Sequence, residues 1–109
     1  MLYKKKNINK CVINGQDVSG TSFQISVWKQ IASIPTGQTI TYSELANSIG
    51  KPRSFRAVAN ACGKNPFPVI IPCHRVVRSD GGLGGYSGKG GTKTKSALLE
   101  SEKLFKKAN

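Results

Sequence analysis

The sequence predicts a small, mostly α domain with short β segments, built around a helix-turn-helix and closed by a C-terminal helix. Three observations predict it. Apolar residues recur at helical spacing from Phe23 to Ile34. Two short helix-sized segments, Tyr42 to Ile49 and a second ending at Gly63, are joined through Gly50 and Pro52. The apolar run Val69 to Ile71 is too short for a helix and flanked by prolines, so it reads as a buried strand. A chain of 109 residues has room for one domain with one modest core.

Taken in order, residues 1–20 are polar and basic, with Lys4 to Lys6 in a row and a short apolar trio, Cys11, Val12 and Ile13. They read as a basic arm or one edge strand, with the folded domain over residues 21–109. Phe23, Val27, Trp28, Ile31 and Ile34 then mark a core helix that Pro35 and Gly37 end. Thr41 and Glu44 have the spacing of a capping box, Leu45 and Ile49 face inward, and Gly50 stops the helix. Pro52 suits the first position of the next helix. There Phe55, Val58, Ala59 and Cys62 form the expected buried stripe. Arg53, Arg56, Asn60 and Lys64 project from the other side beside Ala57 and Ala61, a face with little bulk that suits either a duplex or plain solvent. The strand from Val69 delivers Pro72 and Cys73. Asp80 to Gly91 holds seven glycines and reads as a loop, without the Lys-Ser/Thr signature of a phosphate loop. A last helix from Lys95 to Lys107 turns Leu98, Leu99, Glu102 and Phe105 inward and Glu100 to solvent.

Seventeen Lys and Arg against five Asp and Glu leave a net charge of +12, which attracts a polyanion, with nucleic acid the leading candidate. Cys11, Cys62 and Cys73 are odd in number and lack CxxC spacing, which suggests neither a disulfide framework nor a zinc knuckle and fits a reducing compartment. No spanning segment or signal peptide is evident, so a cytoplasmic or DNA-associated protein without membrane contact is expected.

Cys11 and Cys62 read as packed thiols. Cys73 differs: it follows a proline and sits beside His74, the only histidine, and Arg75, whose charge favours a thiolate. Adjacent side chains do not face one another, so Cys73 and His74 need a bridging water. The imidazole needs its second nitrogen oriented, and Glu102 is the carboxylate on an inward stripe. A Cys73, water, His74, Glu102 relay results, with a satisfied core histidine as the alternative.

These residues resemble the O6-alkylguanine-DNA alkyltransferases, also called methylated-DNA-protein-cysteine methyltransferases. The match rests on IPCHRVV from Ile71, on GKNPFPVI and RAVANA before it, on TGQTITYSELA from Thr36, on FQISVWKQI around Trp28, and on GGYSG and LLESE near the end. The resemblance implies a small winged-helix-like helix-turn-helix domain with an active-site strand. It implies that the protein, a monomer without cofactor or metal, binds double-stranded DNA containing O6-alkylguanine and takes the alkyl group onto Cys73 once. By resemblance His74 and Glu102 activate the thiol, Tyr42 contacts the flipped base, and Arg56 fills the gap in the stack. Val76 and Ser87 fall at guanine-pocket positions and Asn65 at the brace of the turn. Gln24, Ser43, Lys51 and Ser79 fall at DNA-backbone positions, and Arg53, Ala57, Asn60 and Lys64 share the recognition surface.

Three departures from the family pattern stand out. About 20 residues precede the shared region, so a separate N-terminal domain and any zinc site in it are expected to be missing. Cys62 replaces an apolar residue near the cleft, and the loop from Gly88 to Thr92 is about two residues longer than the family pattern. Three rivals are a non-catalytic sensor, which would lack Cys73, a helix-turn-helix regulator, which would need more bidentate base readers, and a Cys-His hydrolase, which would need a direct pair.

Overall fold

Residues 9–20, expected as an arm or one edge strand, pair with themselves. Strands β1 (Asn9–Ile13) and β2 (Gln16–Gly20) form an antiparallel hairpin in which Ile13 faces Gln16. Asn14 and Gly15, at φ 49° and 81°, make the tight two-residue turn that Asn-Gly favours. The computed structural model describes residues 8–84, 86, 88 and 90–108, with side chains as far as residue 103. The hairpin is no loose appendage, because Ile13 and Val18 are both buried in the main core.

Helix α1 (Ser22–Ala32) starts at a full capping box, with the Thr21 hydroxyl accepting from the Gln24 amide and the Gln24 side chain accepting from the Thr21 amide. Its inner face is Ile25, Val27, Trp28 and Ile31. The Trp28 indole donates to the Ala61 carbonyl at 2.9 Å and ties α1 to the second helix of the helix-turn-helix. Gly20 makes room for that ring, since a Cβ there would lie 2.9 Å from it.

Helix α2 (Tyr42–Ser48) carries the expected box, Thr41 with Glu44, and stops at Gly50, φ 76°. Pro52 does not open the next helix. It lies in a turn closed by the Ser54 amide donating to the Lys51 carbonyl, and α3 runs Phe55–Gly63. The α3 stripe is rotated from the one expected: Val58, Ala61 and Cys62 are buried, while Phe55 and Ala59 are exposed. The partners decide this, because Trp28 of α1 anchors at Ala61 and draws that side inward.

The apolar run at 69–71 is not a strand. Val69 and Ile70 lie exposed in a turn, Val69 at φ 78°, and only Ile71 is buried, in a single bridge with Pro68. Among the described residues no neighbouring strand pairs with these three, which leave a helix through two prolines. Asn65 holds the turn instead: its side-chain amide donates to the Ile71 carbonyl at 2.7 Å, and its oxygen accepts from the Phe67 amide at 2.9 Å. Cys73–Arg75 form one 3₁₀ turn, after which β4 (Val76–Val77) pairs in parallel with β3 (Ile40–Thr41). Helix α4 (Gly91–Ala108) begins a turn earlier than expected, which brings Lys95 inside, fully buried. Glu100 is exposed as expected, and the Phe105 side chain lies outside the described residues. The described residues form a mostly α domain with short strands around the α2–α3 helix-turn-helix.

Candidate active site and nucleic-acid interface

Because Cys73 to Arg75 form a 3₁₀ turn, successive side chains are rotated by about 120° and leave in different directions. The turn is fixed by the Cys73 amide on the Ile71 carbonyl at 2.7 Å and the Arg75 amide on the Pro72 carbonyl at 2.9 Å. Cys73 lines a cleft of about 510 Å³ shared with Tyr42, Phe55, Arg56, Cys62 and Tyr86. His74 is 1% exposed, and its Nε2 donates to Glu102 Oε2 at 2.6 Å. That leaves Nδ1 as the acceptor, buried and with no hydrogen-bond partner among the described residues.

Arg75 does something the sequence did not suggest. Its guanidinium clamps Glu102, through Nε to Oε1 at 2.9 Å and Nη2 to Oε2 at 2.8 Å. Its Nη1 also donates to the Ile34 carbonyl at 2.7 Å, so one side chain joins the end of α1 to α4. Burial pushes the Glu102 carboxyl up, but the hydrogen bonds and charges of Arg75 and His74 outweigh it and hold the group below its usual range.

Lys95 is the residue that sequence reasoning missed. Its Nζ donates to the Val76 carbonyl at 2.7 Å and lies 3.4 Å from the Tyr42 hydroxyl. The signal was present: Lys95 precedes Leu98, Leu99 and Glu102 on the same inward stripe, at i, i+3, i+4 and i+7. Burial disfavours its ammonium, against the opposing pull of Cys73 and Cys62. Tyr42 is pushed up to about 12, first by burial and then by the charges of Cys62 and Cys73. Its hydroxyl therefore keeps its proton at neutral pH. Cys62, also pushed up to about 12 mainly by burial, is a poor nucleophile although it lines the same cleft.

The candidate DNA residues surround the cleft. Arg56 lines it, while Ala57, Asn60 and Lys64 line a shallow groove with Gln24, whose side chain is partly committed to its capping box. Lys51 and Arg53 are exposed in the turn before α3. Ser43 and Ser79 line a separate hollow of about 300 Å³ with Tyr42, Phe55 and Arg78, the last paired with Asp80. Val76 is fully buried, with its carbonyl held by Lys95. Ser87 lies outside the described residues. Among the described residues no helix is long and apolar enough to cross a membrane.

A thiol site built beneath the second helix of a helix-turn-helix, with a small basic face above it, defines a class of domain that joins nucleophile chemistry to a surface for polyanions. The comparisons with known proteins give the family. The family model described as 6-O-methylguanine DNA methyltransferase, DNA binding domain, matches residues 22–104, and the chain belongs to that family. It is 55% identical over 83 residues to a methylated-DNA-protein-cysteine methyltransferase of Methanosarcina barkeri, covering 76% of this chain and 51% of that one. It is 52% identical over 86 residues to the bifunctional transcriptional activator/DNA repair enzyme Ada of Escherichia coli, covering 79% of this chain and 24% of Ada. Among solved structures, the Mycobacterium tuberculosis OGT in complex with DNA matches with a TM-score of 0.74 at 50% identity, over 78% of this chain and 52% of that one. Atl1 of S. pombe, in complex with damaged DNA containing O6-carboxymethylguanine, matches with a TM-score of 0.63 at 32% identity, over 73% of this chain and 74% of that one. The chain spans about half or less of the length of these curated relatives.

Proposed function

We propose that this domain binds double-stranded DNA, extrudes an O6-alkylated guanine into the Cys73 cleft, and moves the alkyl group irreversibly onto Cys73. The carrying observation is the His74–Glu102 pair at 2.6 Å, on the residue next to a thiol that lines a cleft under α3. Glu102 fixes the tautomer of His74, leaving Nδ1 to take the Cys73 proton through a bridging water. The thiolate sulfur attacks the alkyl carbon, a carbon–sulfur bond forms, and the carbon–O6 bond breaks with its electron pair going to guanine. Tyr42 supplies the proton the departing guanine needs, and Lys95, 3.4 Å away, offsets the charge left on the phenol oxygen. The product is a thioether, which none of these groups reverses, so each molecule reacts once. The step needs no cofactor.

Binding rests on charge. Lys51, Arg53 and Lys64 serve as phosphate contacts, and Arg56, at the cleft, takes the place of the extruded nucleotide. The test is intact mass after incubation with a duplex holding one O6-methylguanine. The protein gains one methyl group, on the peptide containing Cys73. An unmodified protein, or a methyl group on Cys11 or Cys62, refutes the assignment.

A further inference from the structure

We propose that Phe55 is a second duplex-opening residue, which stacks its ring on a nucleobase at the mouth of the cleft beside Arg56; this rests on the function proposed above. Phe55 is 46% exposed. The other large apolar residues exposed among those described, Ile8, Val12, Val69 and Ile70, lie on or next to the hairpin or in the turn at 69–70. Phe55 alone of these is aromatic, and it alone stands on the recognition helix. It opens α3, immediately before Arg56. With Tyr42 and Arg78, it lines both the Cys73 cleft and the neighbouring hollow that holds Ser43 and Ser79, so its ring stands where the two meet.

A phenyl ring in that place has nothing to offer a phosphate. What it offers is a flat apolar face, which nucleobases stack on whatever their sequence. Apolar side chains set against base steps also offset the cost of unstacking a duplex. The surface around Phe55 carries the small Ala57 and Ala59 beside exposed cations, so a duplex can come close enough for the ring to reach a base. Arg56 then occupies the vacated position while Phe55 holds the flanking base, and the two adjacent residues divide the work of keeping the site open.

The experiment compares Phe55→Ala, Phe55→Leu and Phe55→Tyr with the wild type and with Arg56→Ala. Single-turnover transfer is measured at saturating protein on duplex O6-methylguanine and on the free base O6-benzylguanine, which needs no extrusion. Transfer by the wild type tests the function itself; the variants test Phe55. Phe55→Ala is expected to react about tenfold more slowly on duplex, the scale of one lost base–aromatic stack. Its loss on the free base is expected to be smaller than its loss on duplex, and the same split is expected of Arg56→Ala. Phe55→Tyr keeps the ring and the rate, while Phe55→Leu recovers only part. An unchanged duplex rate in Phe55→Ala overturns the proposal. So does an equal loss on the free base, which would make Phe55 a wall of the alkyl pocket, or full recovery by Leu, which would make bulk rather than stacking the cause.

Discussion

Two neighbouring side chains, Tyr42 on the cleft wall and Lys95 buried in the core, are perturbed by burial in opposite chemical senses. Burial holds the proton on Tyr42 and works against the one on Lys95, and their polar atoms lie 3.4 Å apart. Lys95 is a cation in a strongly basic protein, yet it is fully buried and cannot touch a phosphate. Lys95→Met is therefore expected to slow single-turnover transfer by at least about tenfold while leaving duplex affinity and its salt dependence unchanged. Lys64→Ala, an exposed position, is expected to do the reverse. Fluorescence titration across a salt series, beside quenched transfer assays, separates the two. Weakened binding in Lys95→Met, or an unchanged rate, contradicts this role. Cys73, His74 and Glu102 were legible in the sequence because their types and the inward stripe of α4 single them out. Lys95 and Arg75 were not, since one lysine or arginine among 17 carries no mark of its partner.

At the scale of elements, the glycine-rich loop matters where it crosses α2. Gly84 has φ +76°, and a Cβ there would lie 2.7 Å from the Tyr42 hydroxyl. Only glycine lets the loop pass so close to the first residue of that helix. Gly84→Ala is expected to cost about 1–2 kcal/mol of stability through backbone strain. It also slows transfer by displacing Tyr42. Urea unfolding and the single-turnover rate check both, and a variant normal in both would show that the contact relaxes freely. The hairpin belongs to this scale too. Asn14-Gly15 is a strong local turn signal, and the single-strand reading overlooked it. The turn at 69–70 could not be read locally, because an apolar tripeptide becomes a strand only where another strand is free to pair with it.

Across the whole molecule, Glu102 is the post to which the fold is tied. His74 and Arg75 reach it from the 3₁₀ turn, and Arg75 continues to the Ile34 carbonyl and the Thr36 hydroxyl. The folded carboxyl lies below its usual range, so unfolding raises its affinity for a proton. Its contribution to stability is fully present above the unfolded value, about 4.3, and is lost as pH falls through the lower folded value. Urea midpoints between pH 7 and pH 3 are expected to show this acid limb. Glu102→Gln lowers the midpoint at pH 7 and flattens the limb. A residual slope remains from Asp80, whose carboxyl is also held low, chiefly by the Gly82 amide. An undiminished limb in Glu102→Gln would show that the tie carries no pH-dependent stability.

By itself the sequence determined the helical periods, the Thr41–Glu44 cap, the helix-turn-helix and the residues that define the family. Each of these depends on spacing within a few residues, which the chain carries locally. Tertiary structure decided which side of α3 is buried, that Cys73 sits on a 3₁₀ turn rather than a strand, that Arg75 serves Glu102, and that Lys95 enters the core. The buried side of α3, the role of Arg75 and the place of Lys95 depend on partners between 19 and 41 residues away, such as the Val76 carbonyl for Lys95 and the Ile34 carbonyl for Arg75. A contact at that separation is selected only when the packed core brings both partners out of water and leaves each of them one place to bond.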